Sequence, residues 1–174
     1  MINLDRKNIV LIGMPASGKS TVGVILAKAV EKDFCDTDIL IQKKEGRSLQ
    51  DIINRDGNEV FSQIERKILS SYSPKNTVVA TGGSAVYYEE VMEHFRKDGL
   101  IVYIKVDLTE IMRRLDNIET RGVVLEKGQT LEHLYALRCP LYEKESDIVI
   151  EATSKTVEET VEAIIQAMKR NLKE

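Results

Sequence analysis

The chain is short of several things, and each shortage closes off a class of protein. It has two cysteines in 174 residues, Cys35 and Cys139, far apart and with no CxxC pair. That excludes a disulfide framework and fits reduced, partly buried thiols in a reducing compartment. No stretch approaches the roughly 20 apolar residues that a transmembrane helix needs. The opening MINLDRKNIVLIG has too short an apolar run for a secretory signal and leads straight into a strand pattern, so a cytoplasmic location is expected. Basic residues are not in excess either: 25 Lys and Arg stand against 28 Asp and Glu, a net charge of -3. An electrostatic hold on nucleic acid is therefore disfavoured, although a local basic cluster could still bind a small anion. There is no internal repeat, low-complexity tract or linker. These absences leave a small molecule as the expected partner, with neither nucleic acid nor membrane, and a monomer as the expected state.

What is present is ordinary for a globular protein: 43% apolar and 30% charged residues, enough for one compact domain over 1–174 with a real core. Short β-branched runs alternate with helical periodicity. NIVLIG (8–13), DFCDTDIL (33–40), NTVVATGG (76–83), LIVYIKVD (100–107) and DIVIEA (147–152) read as strands. Between and after them, KSTVGVILAKAV (19–30), SLQDIINRDG and EVFSQIERKILSSY broken at Gly57, YYEEVMEHFRKDG (87–99), TEIMRRLDNI (109–118) with Thr109 as N-cap, TLEHLYALRCPLYEKES (130–146) as far as Pro140, and TVEETVEAIIQAMKRNL (156–172) read as helices. This alternation predicts an α/β fold, a doubly wound sheet of about five parallel strands flanked by helices. DNIETRGVVLEKGQ (116–129) has no strong periodicity and reads as a lid loop or as a surface insertion.

GMPASGKST (13–21) matches GxxxxGK[ST] between a strand and a helix, where a phosphate-binding P-loop must lie. Gly13 and Gly18 allow a tight turn and close approach to phosphate oxygens. The loop N–H groups, running through Ala16, Ser17, Gly18 and on to Thr21 at the helix N-terminus, offer a positive dipole. Lys19 would reach the β- and γ-phosphates, and the Ser20 hydroxyl would ligate Mg²⁺. No NKxD motif of the GTPase kind is present, which favours ATP.

Asp36 and Asp38 of DTD close the strand after the P-loop helix, at the ligand edge of a parallel sheet. Two carboxylates one residue apart can divide labour, one towards metal-bound water and one towards an acceptor hydroxyl. Gly82 and Gly83 end the next strand at the same edge, where their backbone N–H groups could contact a ligand, or where they simply make a tight turn. Arg113 and Arg114 beside Asp116 could be surface pairs, and Arg138 before Cys139-Pro140 could cap a helix end.

Taken in order, GMPASGKST, DTD, GRSLQDII, DG...F...E, TGGSAV, an arginine in the 116–129 loop and RCPLY resemble the shikimate kinases, which share the nucleoside monophosphate kinase-like P-loop fold. The resemblance runs from the first strand to RCPLY. It implies transfer of the ATP γ-phosphate to a hydroxyl of shikimate with Mg²⁺ as cofactor, giving shikimate 3-phosphate, an aromatic amino-acid precursor. By the same resemblance Lys19 and Ser20 hold phosphate and metal, and Asp36 supports Mg²⁺ through water. Asp38 bonds the acceptor hydroxyl and serves as its base, and Gly82 and Gly83 touch the substrate. Arg121 is the lid arginine, Arg114 lies near the adenine and Arg138 binds the substrate carboxylate.

The chain departs from the family pattern at three places around the acceptor and lid. Ser84 stands where a third glycine is usual, and Gly122 where proline follows the lid arginine. Ser62 stands where an arginine usually helps to clamp the shikimate carboxylate. Arg66, one helical turn beyond Ser62, shares its face and could return a guanidinium to the pocket, or could be a solvent-facing charge near Glu65 or Glu59. Ser62 thus leaves open a related kinase for a different small hydroxylated acid. A nucleotide-gated module without an acceptor is a further reading, and the intact Asp38 opposes it.

Overall fold

The computed structural model describes residues 7–116 and 128–171. Five strands, β1 (Asn8–Ile12), β2 (Asp33–Asp36), β3 (Thr77–Ala80), β4 (Gly99–Lys105) and β5 (Ile148–Glu151), form one sheet in the order β2-β3-β1-β4-β5. Every pairing is parallel. All five residues of β1 and all four of β3 are buried, because helices cover both faces of the sheet there. The edge strand β5 alternates buried and exposed residues instead.

Helix α1 (Lys19–Ala29) follows β1 and buries Val22 and Leu26 against the sheet. Helices α2 (Thr37–Glu45) and α3 (Leu49–Ser71) follow β2 and enclose a second small core of Ile41, Ile52, Phe61 and Ile68. Within α3 the helical path breaks at Gly57, whose φ of 89° lies in the left-handed region, as its place between the two helical patterns suggests. After β3 come a short 3-10 turn (Ala85–Tyr87) and α4 (Glu89–Asp98), and after β4 comes α5 (Leu108–Asp116). Helices α6 (Leu131–Glu145) and α7 (Val157–Asn171) flank β5 in sequence.

Three local expectations change. The strand expected over 33–40 stops at Asp36. There the carboxylate Oδ1 accepts from the N–H groups of Asp38 (2.9 Å) and Ile39 (3.4 Å), capping α2 and turning the chain into a helix. Thr37 and Asp38 are therefore the first turn of α2. Pro140 does not interrupt α6, which runs through it. The proline removes one helical hydrogen bond, but Arg138 and Tyr142 on either side are buried and bonded to other elements, and these contacts hold both halves in line. Helix α5 starts at Leu108, one residue before the expected cap.

The parallel topology puts the C-terminal ends of β1, β2 and β3 side by side. The P-loop, the first turn of α2 and the glycine pair leave from these ends. Among the described residues no helix is long and apolar enough to cross a membrane, and both cysteines are half-buried free thiols.

Candidate active site

The P-loop wraps around its own lysine. Lys19 is 8% exposed, and its ammonium donates to the carbonyls of Gly13 (2.8 Å) and Met14 (2.7 Å). Gly13 has φ 149°, and a Cβ there would stand 2.7 Å from the Ile104 carbonyl oxygen of β4, so no side chain fits. Gly18 caps α1 at φ 93°. Ala16 takes φ 61°, an uncommon conformation for a residue with a side chain and one that clusters at functional sites. Ser17 is buried, with its N–H donating to Met14 (3.2 Å), while Thr21 is exposed on the first turn of α1.

The Ser20 hydroxyl donates to Asp36 Oδ2 at 2.5 Å. One carboxylate therefore binds the P-loop helix through one oxygen and caps α2 through the other. Serine and aspartate oxygens are hard donors of the kind Mg²⁺ takes. Among the described residues no three His, Cys, Asp or Glu side chains converge into a metal cage. A magnesium ion that keeps several waters and binds mainly through phosphates fits this donor set.

Gly82 and Gly83 form a floor without side chains at the end of β3. A Cβ on Gly82 would lie 2.9 Å from Asp38 Oδ1 and 3.0 Å from Glu65 Oε1. On Gly83 it would lie 2.8 Å from Arg138 Nη1 and 3.1 Å from Pro15 Cδ of the P-loop. The floor thus meets two carboxyl groups at one residue and a guanidinium at the next. The Gly82 N–H donates to the buried Thr37 hydroxyl (3.1 Å), so that backbone donor is engaged inside the protein. The Gly83 carbonyl accepts from Tyr142 (2.6 Å), whose ring is buried in α6.

Arg138 is 6% exposed, far more buried than a capping arginine. Its Nε donates to the Tyr87 hydroxyl (3.1 Å), and its guanidinium carbon lies 5.1 Å from the centre of the Tyr87 ring, within cation–π range. Arg114 donates to the Ala16 carbonyl (3.1 Å) and to Glu110 (2.8 Å), which sets it on the P-loop rather than in a purely superficial pair. Arg66 turns the other way. Its side chain is 60% exposed and pairs with Glu90 of α4, so of the two readings left open for Arg66 the structure shows the outward-facing charge, with Glu90 rather than Glu65 or Glu59 as its partner. Arg121 and Gly122 lie outside the described residues.

The sequence reading included Glu65 as the last residue of DG...F...E but gave it no role. This residue is fully buried, with Oε2 accepting from the Ser84 (2.7 Å) and Tyr88 (2.9 Å) hydroxyls and Oε1 without a hydrogen-bond partner among the described residues. Burial pushes its carboxyl above the usual range, and the Asp38 charge pushes the same way. The Ser84 and Tyr88 hydrogen bonds and the Arg138 charge pull it down. Half-buried Ser62 lies near Tyr88, whose hydroxyl donates to the same Glu65 oxygen. The signal for Glu65 was legible. Phe61, Glu65, Ile68 and Leu69 are spaced as one helical face, so an acid sits on the buried stripe of α3. Thr37 and Tyr142 lie inside DTD and RCPLY but were given no role, and Tyr87 carried no signal, because only the tertiary fold brings them to the glycine pair and Arg138.

Comparison with known proteins agrees with this geometry. The model of the shikimate kinase family matches residues 15–169. The chain belongs to the shikimate kinase family. A shikimate kinase of Clostridium botulinum (strain Loch Maree / Type A3) is 36% identical over 168 residues, covering 94% of this chain and 97% of the relative. One from Thermodesulfovibrio yellowstonii is 35% identical over 167 residues, covering 94% and 96%. Among solved structures, shikimate kinase from Acinetobacter baumannii in complex with shikimate superposes with a TM-score of 0.86 at 28% identity, covering 95% of this chain and 94% of that one. The Aquifex aeolicus enzyme gives 0.80 at 30%, covering 95% and 98%. Membership of this family makes the chain an ATP-dependent kinase.

Proposed function

We propose that the chain transfers the γ-phosphoryl group of ATP to a hydroxyl of shikimate, giving shikimate 3-phosphate. One observation carries the reading. A floor of two glycines, flanked by the Asp38 carboxylate and the buried Arg138 guanidinium, abuts Pro15 of the P-loop. An acceptor lying on that floor would meet a hydrogen-bond acceptor at Gly82 and a cation at Gly83, beside the phosphate loop. The relatives named shikimate kinase support shikimate as that acceptor, and a different hydroxylated acid is not favoured.

In this reading Asp38 orients the attacking hydroxyl and takes its proton, and Arg138 holds the acceptor's carboxylate. Lys19 neutralises charge on the β- and γ-phosphates, and the N–H groups of the 13–21 loop hold the phosphates in line. Arg114 steadies the loop at Ala16 on the nucleotide side. Ser20 and Asp36, the latter through water, would hold Mg²⁺, which neutralises phosphate charge when bound with the nucleotide. The segment 116–129 serves as a lid that brings Arg121 to the transferring phosphoryl group and keeps water from competing as acceptor.

A coupled assay of ADP release with and without shikimate tests the proposal. ADP release that depends on shikimate is expected. Release that is the same without any acceptor refutes the kinase reading, and release driven only by another hydroxy acid refutes shikimate.

A further inference from the structure

The segment 83–87 is fastened to α6 at both ends. Tyr142 donates to the Gly83 carbonyl at 2.6 Å, and Arg138, four residues earlier on the same helix face, donates from Nε to the Tyr87 hydroxyl at 3.1 Å. Between these ends Ala85 and Val86 are buried, and the Tyr87 N–H closes the turn on the Ser84 carbonyl at 3.0 Å. One short turn therefore holds both the glycine floor and a tyrosine against the same guanidinium. Nη1 of that guanidinium comes up against Gly83, and its carbon lies 5.1 Å from the centre of the Tyr87 ring. Arg138 is buried while Tyr87 is 44% exposed, so the tyrosine forms the outer wall of the arginine's site.

The bond to Arg138 uses only part of the Tyr87 hydroxyl. A phenolic oxygen accepts a hydrogen bond and also donates one. Here its lone pair faces the cation, so its proton turns away from Arg138, and that proton has no acceptor among the described residues. The same bond occupies the single N–H on Nε, so a carboxylate cannot grip the Nε–Nη2 edge of Arg138 with both of its oxygens. The N–H bonds along that edge are parallel. An oxygen that accepts from Nη2 therefore lies beside the Tyr87 oxygen, within reach of its proton. A chain from guanidinium to phenol to carboxylate is polarised in one direction, and its bonds strengthen one another. A neutral group in the same place would gain about half as much from the phenol.

We propose that Tyr87 is a specificity-determining residue for the acceptor: its hydroxyl accepts from Arg138 Nε and donates its own proton to the acceptor's carboxylate, which Arg138 holds through Nη2. Arg138 supplies the charge, and Tyr87 fixes which edge of the guanidinium the carboxylate takes. The inference rests on the shikimate reading above and adds to it a neutral second donor for the carboxylate.

Steady-state kinetics of Tyr87→Phe test this, with ATP, shikimate and the shikimate analogue that carries hydrogen in place of the carboxylate each varied in turn. Phenylalanine keeps the ring over Arg138 and removes the hydroxyl alone. The shikimate KM should rise about tenfold, the size of one charge-assisted hydrogen bond at a partly exposed site, while kcat and the ATP KM hold. The kcat/KM of the analogue should not change, because it lacks the group that the hydroxyl meets. Removing the hydroxyl also frees Nε for a side-on grip, so an unchanged or lower shikimate KM overturns the proposal. An equal fall in kcat/KM for shikimate and for the analogue, as a purely structural role would give, overturns it too. If the analogue is not turned over, the split between the shikimate and ATP constants decides. If the wild type shows no shikimate-dependent ADP release, the acceptor reading fails and the proposal falls with it. If the wild type turns over shikimate and Tyr87→Phe matches it, the proposal alone fails.

Discussion

Gly83→Ala probes how tightly the acceptor floor is built. Gly83 does not use a left-handed conformation, so alanine costs nothing in backbone strain there and the test reads close approach alone. The new Cβ would stand 2.8 Å from Arg138 Nη1 and 3.1 Å from Pro15 Cδ, against an ordinary contact that begins near 3.4 Å. The guanidinium must therefore retreat by roughly half an ångström, since van der Waals repulsion rises steeply at that range. Two contacts resist the retreat. The Tyr87 hydrogen bond contributes about 1 kcal/mol, and stacking on the Tyr87 ring contributes about 0.5–1 kcal/mol. The acceptor's carboxylate then loses part or all of a charge-assisted hydrogen bond, about 1.5–3 kcal/mol. That corresponds to roughly a ten- to hundredfold rise in the shikimate KM. Pro15 needs to give only a few tenths of an ångström, so the ATP KM should move much less. Steady-state ADP release with each substrate varied in turn supplies both constants, and a thermal melt shows that the fold survives. An unchanged shikimate KM, or an equal rise in both constants, would refute the placement of Arg138 against the glycine floor.

Lys19→Met should abolish turnover while circular dichroism stays native, and retained activity would sink the P-loop assignment. Arg66→Ala should leave both KM values unchanged, because the side chain faces α4 and pairs with Glu90. A selective rise in the acceptor KM would show that Arg66 reaches the pocket after all. Arg114→Ala should raise the ATP KM more than the shikimate KM, since it removes the donor on Ala16; the reverse order would detach Arg114 from the nucleotide side. Hydrogen bonds from Arg113 and Arg114 hold the Glu110 carboxyl down at about 2, below the ordinary 4.5. A carboxyl lowered by folding stabilises the fold above its ordinary value, and that contribution is lost as pH falls from about 4.5 to about 2. In acid unfolding, Glu110→Gln should flatten the wild-type slope in that window. The effect should be small and salt-sensitive because the partner Arg113 is exposed at the surface, and an identical slope in both proteins would show that the pair does not form.

The elements whose character is local were legible from sequence. NIVLIG, GMPASGKST and TVVATGG each carry strand, turn and ligand-loop chemistry within a few residues, and the sheet they form has the expected strands. DTD was misread as strand throughout because its β-like run hides a switch. Asp36 acts on the N–H groups two and three residues ahead, and that local hydrogen bond outweighs the strand propensity of the run. Pro140 was read as a helix end because the proline rule is local, whereas the forces that keep α6 continuous lie on the sheet side, at Tyr87 and Gly83. The acceptor site was legible only in outline. Arg138 and Asp38 stand out by motif, but the direction of Arg66 was left open and Glu65 was given no role. Both are charged residues on one helix, and only the buried stripe through Phe61 and Ile68 tells which of them points inward.

The bond from Tyr142 to the Gly83 carbonyl has a consequence for engineering. The Tyr142 ring packs in the core against Tyr103 of β4, their centroids 5.1 Å apart. The height of the acceptor floor is therefore set from inside the protein, by the same aromatic pair that fastens α6 to the sheet. Stability and substrate affinity then draw on one shared contact, so a campaign to raise the melting temperature by repacking Tyr103 or Tyr142 would retune acceptor recognition without touching the pocket. Thermostabilisation of this enzyme is better sought at α7 or along β5, whose described contacts do not include the glycine pair.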